Sequence, residues 1–130
     1  MILLDTHVLV WATRDPEMLS PDAWHAVDAT PQRCVSAASL YELIYKARIG
    51  KWPEVQPLLG VDLARRLQRE GFEVVPASGP VMQRAAALDW SHRDPFDRII
   101  VATALDYRLP VVSKDATLDS NGQPDWRRIW

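Results

Sequence analysis

The sequence predicts an α/β fold, a three-layer α/β/α sandwich with a central parallel sheet. Two observations carry that expectation. Short apolar segments, most of them rich in β-branched residues, recur at Ile2–Leu4, Cys34–Ser36, Phe72–Val75 and Val111–Ser113, with a last one at Arg128–Trp130. Runs this brief and this apolar are typical of strands buried on both faces. Stretches with helical spacing lie between them, and strands that alternate with helices are joined by right-handed crossovers, which leaves the strands parallel.

The elements follow in order. Thr6–Ala12 continues from the first strand as a helix. Ser20 stands as N-cap before Pro21-Asp22-Ala23-Trp24, with Pro at the first helical position, so a second helix opens there. Leu40, Leu43, Ile44 and Ala47 make one apolar stripe, and Gly50 ends that helix. Val61–Arg69 turns Leu63 and Leu67 inward and Arg65, Arg66 and Arg69 outward, and closes at Gly71. Val81–Leu88 is another short helix. Asp94–Tyr107 has the clearest pattern, with Pro95 in its first turn and Phe96, Ile99, Ile100, Thr103 and Tyr107 on one side. Gly50–Gly60 and Asp119–Asp125 concentrate the turn signals and read as loops. No internal repeat or low-complexity stretch interrupts this order.

At 130 residues the chain is expected to form a single domain over 1–130, with 48% apolar and 25% charged residues, the balance of a folded soluble protein. No apolar run approaches the roughly 20 residues of a membrane span. Met1-Ile2-Leu3-Leu4 meets Asp5 at once, which is too short and wrongly charged for a signal peptide. Cys34 is alone, so no internal disulfide is possible and a cytoplasmic location is expected. The net charge of −2 is a mild argument against a nucleic-acid substrate, weakened because the distribution of charge matters more than its sum.

Open parallel sheets bind ligands beyond the C-terminal ends of their strands. Asp5 directly follows the first strand, Asp115 comes two residues after Ser113, and Glu42 lies on the helix that starts just past Ser36. Asp94 and Asp97 lie in the first turn of a helix that leads back to the strand at Val111. These acids are expected at one sheet edge, where a cation must offset their repulsion. Oxygen-only ligation suits Mg²⁺ or Mn²⁺, whereas His7, His25, His92 and one Cys make no zinc motif.

Each acid also has a structural reading. Asp5 suits the N-cap of the helix at Thr6. Ser39-Leu40-Tyr41-Glu42 matches a capping box, unless the helix starts after Ser36 and leaves Glu42 in its second turn. Asp94 before Pro95 is a strong N-cap, Asp97 at the third helical position complements the helix dipole, and Asp115 starts a turn. Taken singly these readings compete well, but together they leave unexplained why the acids gather at one edge.

The same residues carry a family likeness. Leu3-Leu4-Asp5-Thr6-His7 resembles the opening motif of PIN domains, and Val35-Ser36-Ala37 leading to Tyr41-Glu42-Leu43 resembles their second. His92-Arg93-Asp94-Pro95-Phe96-Asp97-Arg98-Ile99-Ile100-Val101-Ala102 is similar to the third motif of a VapC-like branch, and Val111-Val112-Ser113-Lys114-Asp115 to the fourth. The motifs come in family order across nearly the whole chain. The resemblance implies a metal-dependent endoribonuclease, the toxin of a toxin–antitoxin pair, forming a homodimer and held by a partner antitoxin. It assigns Asp5, Glu42, Asp97 and Asp115 as catalytic and metal-binding, selects Asp97 over Asp94, and makes Thr6 the hydroxyl that orients Asp5. Position 7 is His where many relatives carry a small polar residue, so its role stays open.

Basic residues must guide an RNA backbone, and Lys46, Arg48, Lys51, Arg93 and Arg98 are the candidates, with ordinary solvated charge as the alternative. Six Trp residues are able to stack on unpaired bases, although most, notably Trp11, read as core or interface. No Ser–His or Cys–His pair points to a covalent intermediate. Three rivals remain. A receiver-type signalling domain needs a strand–Asp junction in mid-chain, which is lacking. A haloacid-dehalogenase-type phosphatase needs a second Asp at position 7. A catalytically silent binding module is at odds with an intact acidic set.

Overall fold

Alternation of side chains along the strands decides how the layers form. In β1 (Ile2–Leu4) the side chains of Ile2 and Leu4 join one apolar cluster and Leu3 joins another, as the two-residue period of a strand requires. The same split recurs in β2 (Arg33–Ser36), β3 (Phe72–Val75) and β4 (Val111–Val112): Val35, Phe72 and Val112 face the first cluster, and Cys34, Val75 and Val111 the second. A sheet apolar on both faces must be covered on both.

The computed structural model describes every residue, Met1–Trp130, and shows that cover. On one face lie α1 (Thr6–Arg14), α2 (Pro21–Ala29), α3 (Ala37–Arg48) and α4 (Leu63–Arg69), contributing Val8, Leu9, Ala23, Leu43 and Leu67 to the larger cluster. On the other lies α6 (Pro95–Tyr107), with Ile100 and Ala104 against the sheet and Ala102 against Val81 and Ala85 of α5 (Gly79–Ala87). With β5 (Arg128–Ile129), the five strands are ordered β3-β2-β1-β4-β5 and every pairing is parallel. The expected α/β/α sandwich is therefore the observed architecture. No helix is long and apolar enough to cross a membrane.

Several boundaries differ from expectation for local reasons. The first helix runs on to Arg14, ending where Asp15 donates its N–H to the Trp11 carbonyl. The fourth begins at Leu63, because the Asp62 side chain accepts from the Arg65 N–H and acts as its cap. The fifth spans Gly79–Ala87, capped by Ser78. Ser113 and Trp130 fall outside their strands. The loops at Gly50–Gly60 and Asp119–Asp125 are not irregular throughout: 3-10 turns form over Pro53–Leu58 and Ala116–Asn121. The one-sided pattern expected for α6 is also corrected. Every residue from Ile100 to Leu105 is buried while Tyr107 is exposed, because the helix meets the sheet, α5 and a cluster of Leu88, Trp90 and Leu118 on successive faces.

Candidate active site

Because all strands are parallel, β1, β2 and β4 end at the same edge and hand the chain on to Asp5, Ser36 and Ser113. Asp5 has extended backbone and caps α1, its Oδ1 accepting from the Val8 N–H at 2.8 Å. Ser36 caps α3 by accepting from the Ala38 N–H, so that helix starts after Ser36 and Glu42 falls in its second turn. The capping-box alternative for Ser39 and Glu42 is thereby excluded. Asp94 caps α6, with Oδ1 accepting from Phe96 N–H at 2.8 Å and Asp97 N–H at 3.4 Å. Asp97 follows in the first turn, where its side chain turns to the sheet edge.

These elements bring Asp5, Glu42, Asp94, Asp97 and Asp115 around one cavity of about 120 Å³, completed by Thr6, His7, Lys46 and Ile100. A larger cavity of about 440 Å³ lies at the opposite end of α6, lined by Leu105, Arg108, Pro124, Asp125 and Arg127. It holds a single acid beside two arginines, too few carboxylates to attract and ligate a divalent cation.

Each acid in the smaller cavity has a partner of its own. The Thr6 hydroxyl donates to Glu42 Oε2 at 2.5 Å and Lys46 Nζ to Oε1 at 2.5 Å, while Ser39 Oγ lies 3.1 Å from the Thr6 hydroxyl. His92 Nε2 lies 2.6 Å from Asp97 Oδ2. Asp115 Oδ1 accepts from the Thr117 N–H at 2.8 Å and hydroxyl at 2.7 Å. With the carboxylates held this way, no three of them stand in mutual ligating geometry. The donor set is nonetheless oxygen-rich and free of thiols, which fits a hard divalent cation.

Electrostatics gives a second test of that fit. Burial pushes the Asp5 carboxyl above its usual range, against the hydrogen bonds from Ser113 and Val8 that favour its ionised form. Burial raises Asp97 too, and the charges of Asp94 and Glu42 add to it, while the His92 contact opposes. Two acids that resist ionisation beside further carboxylates form a place where added positive charge is favourable.

Thr6 differs from its expected role. Its hydroxyl orients Glu42, not Asp5, because α1 and α3 pack side by side and bring the two residues into contact. Arg98 is corrected as an RNA contact: its guanidinium donates to the carbonyls of Ala85, Ala86, Leu88, Trp90 and His92, tying the α5–α6 connection to α6. Arg48 is exposed and lines neither this cavity nor its neighbour, and Arg93 lines a groove with Met82 and Ile99. Lys46 lines the acidic cavity, and Lys51 lines the cavity next to it. Ser113 and His92 belong to the site although the sequence does not single them out for it. Ser113 Oγ accepts from the Asp115 N–H at 3.0 Å while its side chain bonds Asp5, so it links two of the acids. Its signal is the Ser-x-Asp spacing of a local side-chain turn.

A family profile for the PIN domain matches residues 2–122. The chain is 33% identical over 132 residues to Ribonuclease VapC22 of Mycobacterium tuberculosis, an alignment that covers 99% of this chain and 98% of that protein. In structure it is similar to a chain of a toxin–antitoxin complex from Klebsiella pneumoniae, with a TM-score of 0.66, 23% identity and coverage of 97% and 95% of the two chains. It is also similar to a chain of VapBC2 from Rickettsia felis bound to a DNA fragment from its promoter, with a TM-score of 0.68, 17% identity and coverage of 98% and 97%.

Proposed function

Because this chain belongs to the PIN-domain family, we propose that it is an endoribonuclease that hydrolyses RNA phosphodiester bonds with Mg²⁺ or Mn²⁺ held by Asp5, Glu42, Asp97 and Asp115. The observation that carries the reading is the convergence on one cavity of acids drawn from four separate stretches of chain. The full-length likeness to a ribonuclease supports the same activity.

When bound, the cation supplies Lewis-acid polarisation of the scissile phosphate and lowers the pKa of a water. The chain's own residues do the rest. Asp5 and Asp115, linked through Ser113, offer oxygens from the ends of β1 and β4. Thr6 and Lys46 fix the Glu42 carboxylate by engaging both of its oxygens. His92 orients Asp97. The Thr6 hydroxyl is committed to Glu42 and Ser113 to Asp5 and the Asp115 N–H, so neither is a nucleophile, and no Cys lines the cavity to form a covalent intermediate. Direct attack by water leaves the phosphate on one side of the cut.

The toxin–antitoxin descriptions of the structural neighbours support the further reading that the chain acts as a toxin restrained by a cognate antitoxin protein. A single domain over residues 1–130 and a homodimer belong to the same reading, the first supported by a family match over residues 2–122. The lone buried Cys34 goes with a cytoplasmic setting.

Asp5→Asn is the decisive variant. Asn keeps the N-cap of α1, so the fold is retained, while cleavage of purified RNA should fall at least about a hundredfold. An Asp5→Asn protein, free of contaminating nuclease, that cuts as fast as wild type overturns the assignment.

A further inference from the structure

Beside the acidic cavity, and sharing His7 and Lys46 with it, lies a second cavity of about 340 Å³ lined by His7, Lys46, Lys51 and Trp52. Its character is opposite: two ammonium groups and two aromatic rings stand in place of the carboxylates. The His7 imidazole stacks on the Trp52 indole, with ring centroids 4.5 Å apart and planes at 29°. Trp11 tilts against His7 at 5.8 Å. Lys46 Nζ lies 5.8 Å from the Trp52 ring centroid and Lys114 Nζ 5.9 Å from that of Trp11. The His7 and Trp52 rings and the Lys46 and Lys51 side chains therefore line a cavity that adjoins the acidic site. His7 is exposed and Trp52 half-buried, so the stack is open to solvent.

The electrostatics of the neighbouring cavity require such a rim. Five carboxylates repel a polyanion, and phosphates that approach them need cations close by. Arg98 cannot serve, because backbone carbonyls already occupy its guanidinium. Lys51, which lines the second cavity and makes no ion pair, is placed to do so, whereas the Lys46 ammonium is held by Glu42. Aromatic faces interleaved with cations are the chemistry that holds unpaired nucleobases, since every base has a π-face to stack. A base inside a duplex already stacks on its neighbours and is not available.

The geometry points to a nucleotide subsite: an unpaired base next to the scissile phosphate stacks on the His7–Trp52 pair, and Lys51 takes a phosphate that flanks it. This assignment rests on the proposed ribonuclease activity, and its test separates the two.

In chelator, the intact ¹⁵N-labelled protein is titrated with adenosine 5′-monophosphate and, separately, with ribose 5-phosphate. The Trp52 indole N–H signal, assigned by its loss in Trp52→Phe, should move with the nucleotide and move little with the sugar phosphate. A Trp52 signal that ignores the nucleotide overturns the subsite, whether or not the chain cuts RNA. With Mn²⁺ and an unstructured RNA oligonucleotide, Trp52→Ala should raise KM about tenfold with kcat within about twofold, and Trp52→Phe should keep most of the wild-type KM. His7→Ala, at an exposed position, should raise KM in the same direction and guards against a folding defect in Trp52→Ala. Annealing the oligonucleotide to its complement should slow wild-type cleavage at least about tenfold. Unchanged KM in both alanine variants, with duplex cut as fast as single strand, overturns the subsite and leaves the nuclease standing. A wild-type protein that cuts neither RNA while its Trp52 signal still responds to nucleotide overturns the nuclease reading alone.

Discussion

The hydroxyl of Thr6 donates to Oε2 of Glu42 at 2.5 Å, from the first residue of α1 to the second turn of α3. Lys46 holds the other carboxylate oxygen from one helical turn away. Glu42 is only 5% exposed, and a buried carboxylate depends on partners of this kind. Thr6→Val keeps the shape of the side chain and removes the donor. Metal affinity or kcat should fall roughly tenfold to a hundredfold, as expected when the support of a ligating carboxylate is lost. Thr6→Ser should restore most of it. Mn²⁺ calorimetry with cleavage rates on both variants checks this, and a Thr6→Val protein equal to wild type in both shows that Glu42 needs no orientation.

Asp94 and Asp97 stand three residues apart and carry different duties. Asp94 accepts the free N–H groups at the start of α6, whereas Asp97 faces His92 and the other acids. Asp94→Ser preserves a capping oxygen and should keep most of the activity. Asp97→Asn should lose Mn²⁺ binding while its Tm in chelator at neutral pH stays at or above wild type. If Mn²⁺ titrations rank the two variants the other way, the start of α6 holds the ion through Asp94.

Arg98 is the clearest case of a cation whose function is structural. Its guanidinium satisfies five carbonyls in the stretch from Ala85 to His92, a length of chain that is mostly without secondary structure beyond Ala87. Arg98→Ala leaves those acceptors short of charge-assisted bonds and should cost about 3 kcal/mol. In a chain of this size that lowers Tm by roughly 10 °C. Arg98→Lys should recover little, because an ammonium cannot reproduce the planar fork. Thermal melts decide the point. A variant that melts with wild type but loses RNA affinity would return Arg98 to the RNA-binding set.

What the sequence made legible follows from local physics. Ser20 before Pro21 and Asp94 before Pro95 mark helix starts because capping chemistry is confined to a few adjacent residues. The gathering of Asp5, Glu42 and Asp115 at one edge follows from parallel strands, whose ends are alike. The Glu42–Lys46 pair has the four-residue helical spacing that sequence reveals. By contrast, Thr6 meets Glu42 across 36 residues, and that contact exists only because two helices pack. Arg98 is followed by apolar residues and lies within the third motif, so nothing in its neighbourhood separates a phosphate contact from a carbonyl clamp. The His7–Trp52 stack depends on how the turn over Pro53–Leu58 folds back, which turn residues alone do not specify.

Stability should depend on pH in two opposite ways. Burial holds Asp5 and Asp97 above the usual carboxylate range, helped at Asp97 by the charges of Asp94 and Glu42. A carboxyl whose folded pKa exceeds its unfolded value binds protons more readily when folded. Its contribution is fully present below the unfolded value and is lost as pH rises through the folded one. Asp119 runs the other way: hydrogen bonds from the Arg128 guanidinium hold it below the usual range. Its contribution is present above the unfolded value and is lost as pH falls through the folded one. Unfolded Asp titrates at about 3.9, so the first effect falls on the alkaline side of that point and the second on the acid side. In chelator, Tm should therefore decline from mildly acidic to neutral pH. Saturating Mn²⁺ should restore it at neutral pH, because the ion binds the folded form; at a hundred times its Kd the gain is about 2.7 kcal/mol. Asp97→Asn should flatten the decline in chelator and gain little from Mn²⁺, whereas Asp119→Asn should weaken only the loss on the acid side. Melts of the three proteins from about pH 3 to pH 8, with chelator and with Mn²⁺, test both signs together. A wild-type Tm that climbs steadily to neutral pH in chelator, with Asp97→Asn keeping the full metal gain, means that the buried acids are not strained and that Asp97 is not part of the metal site.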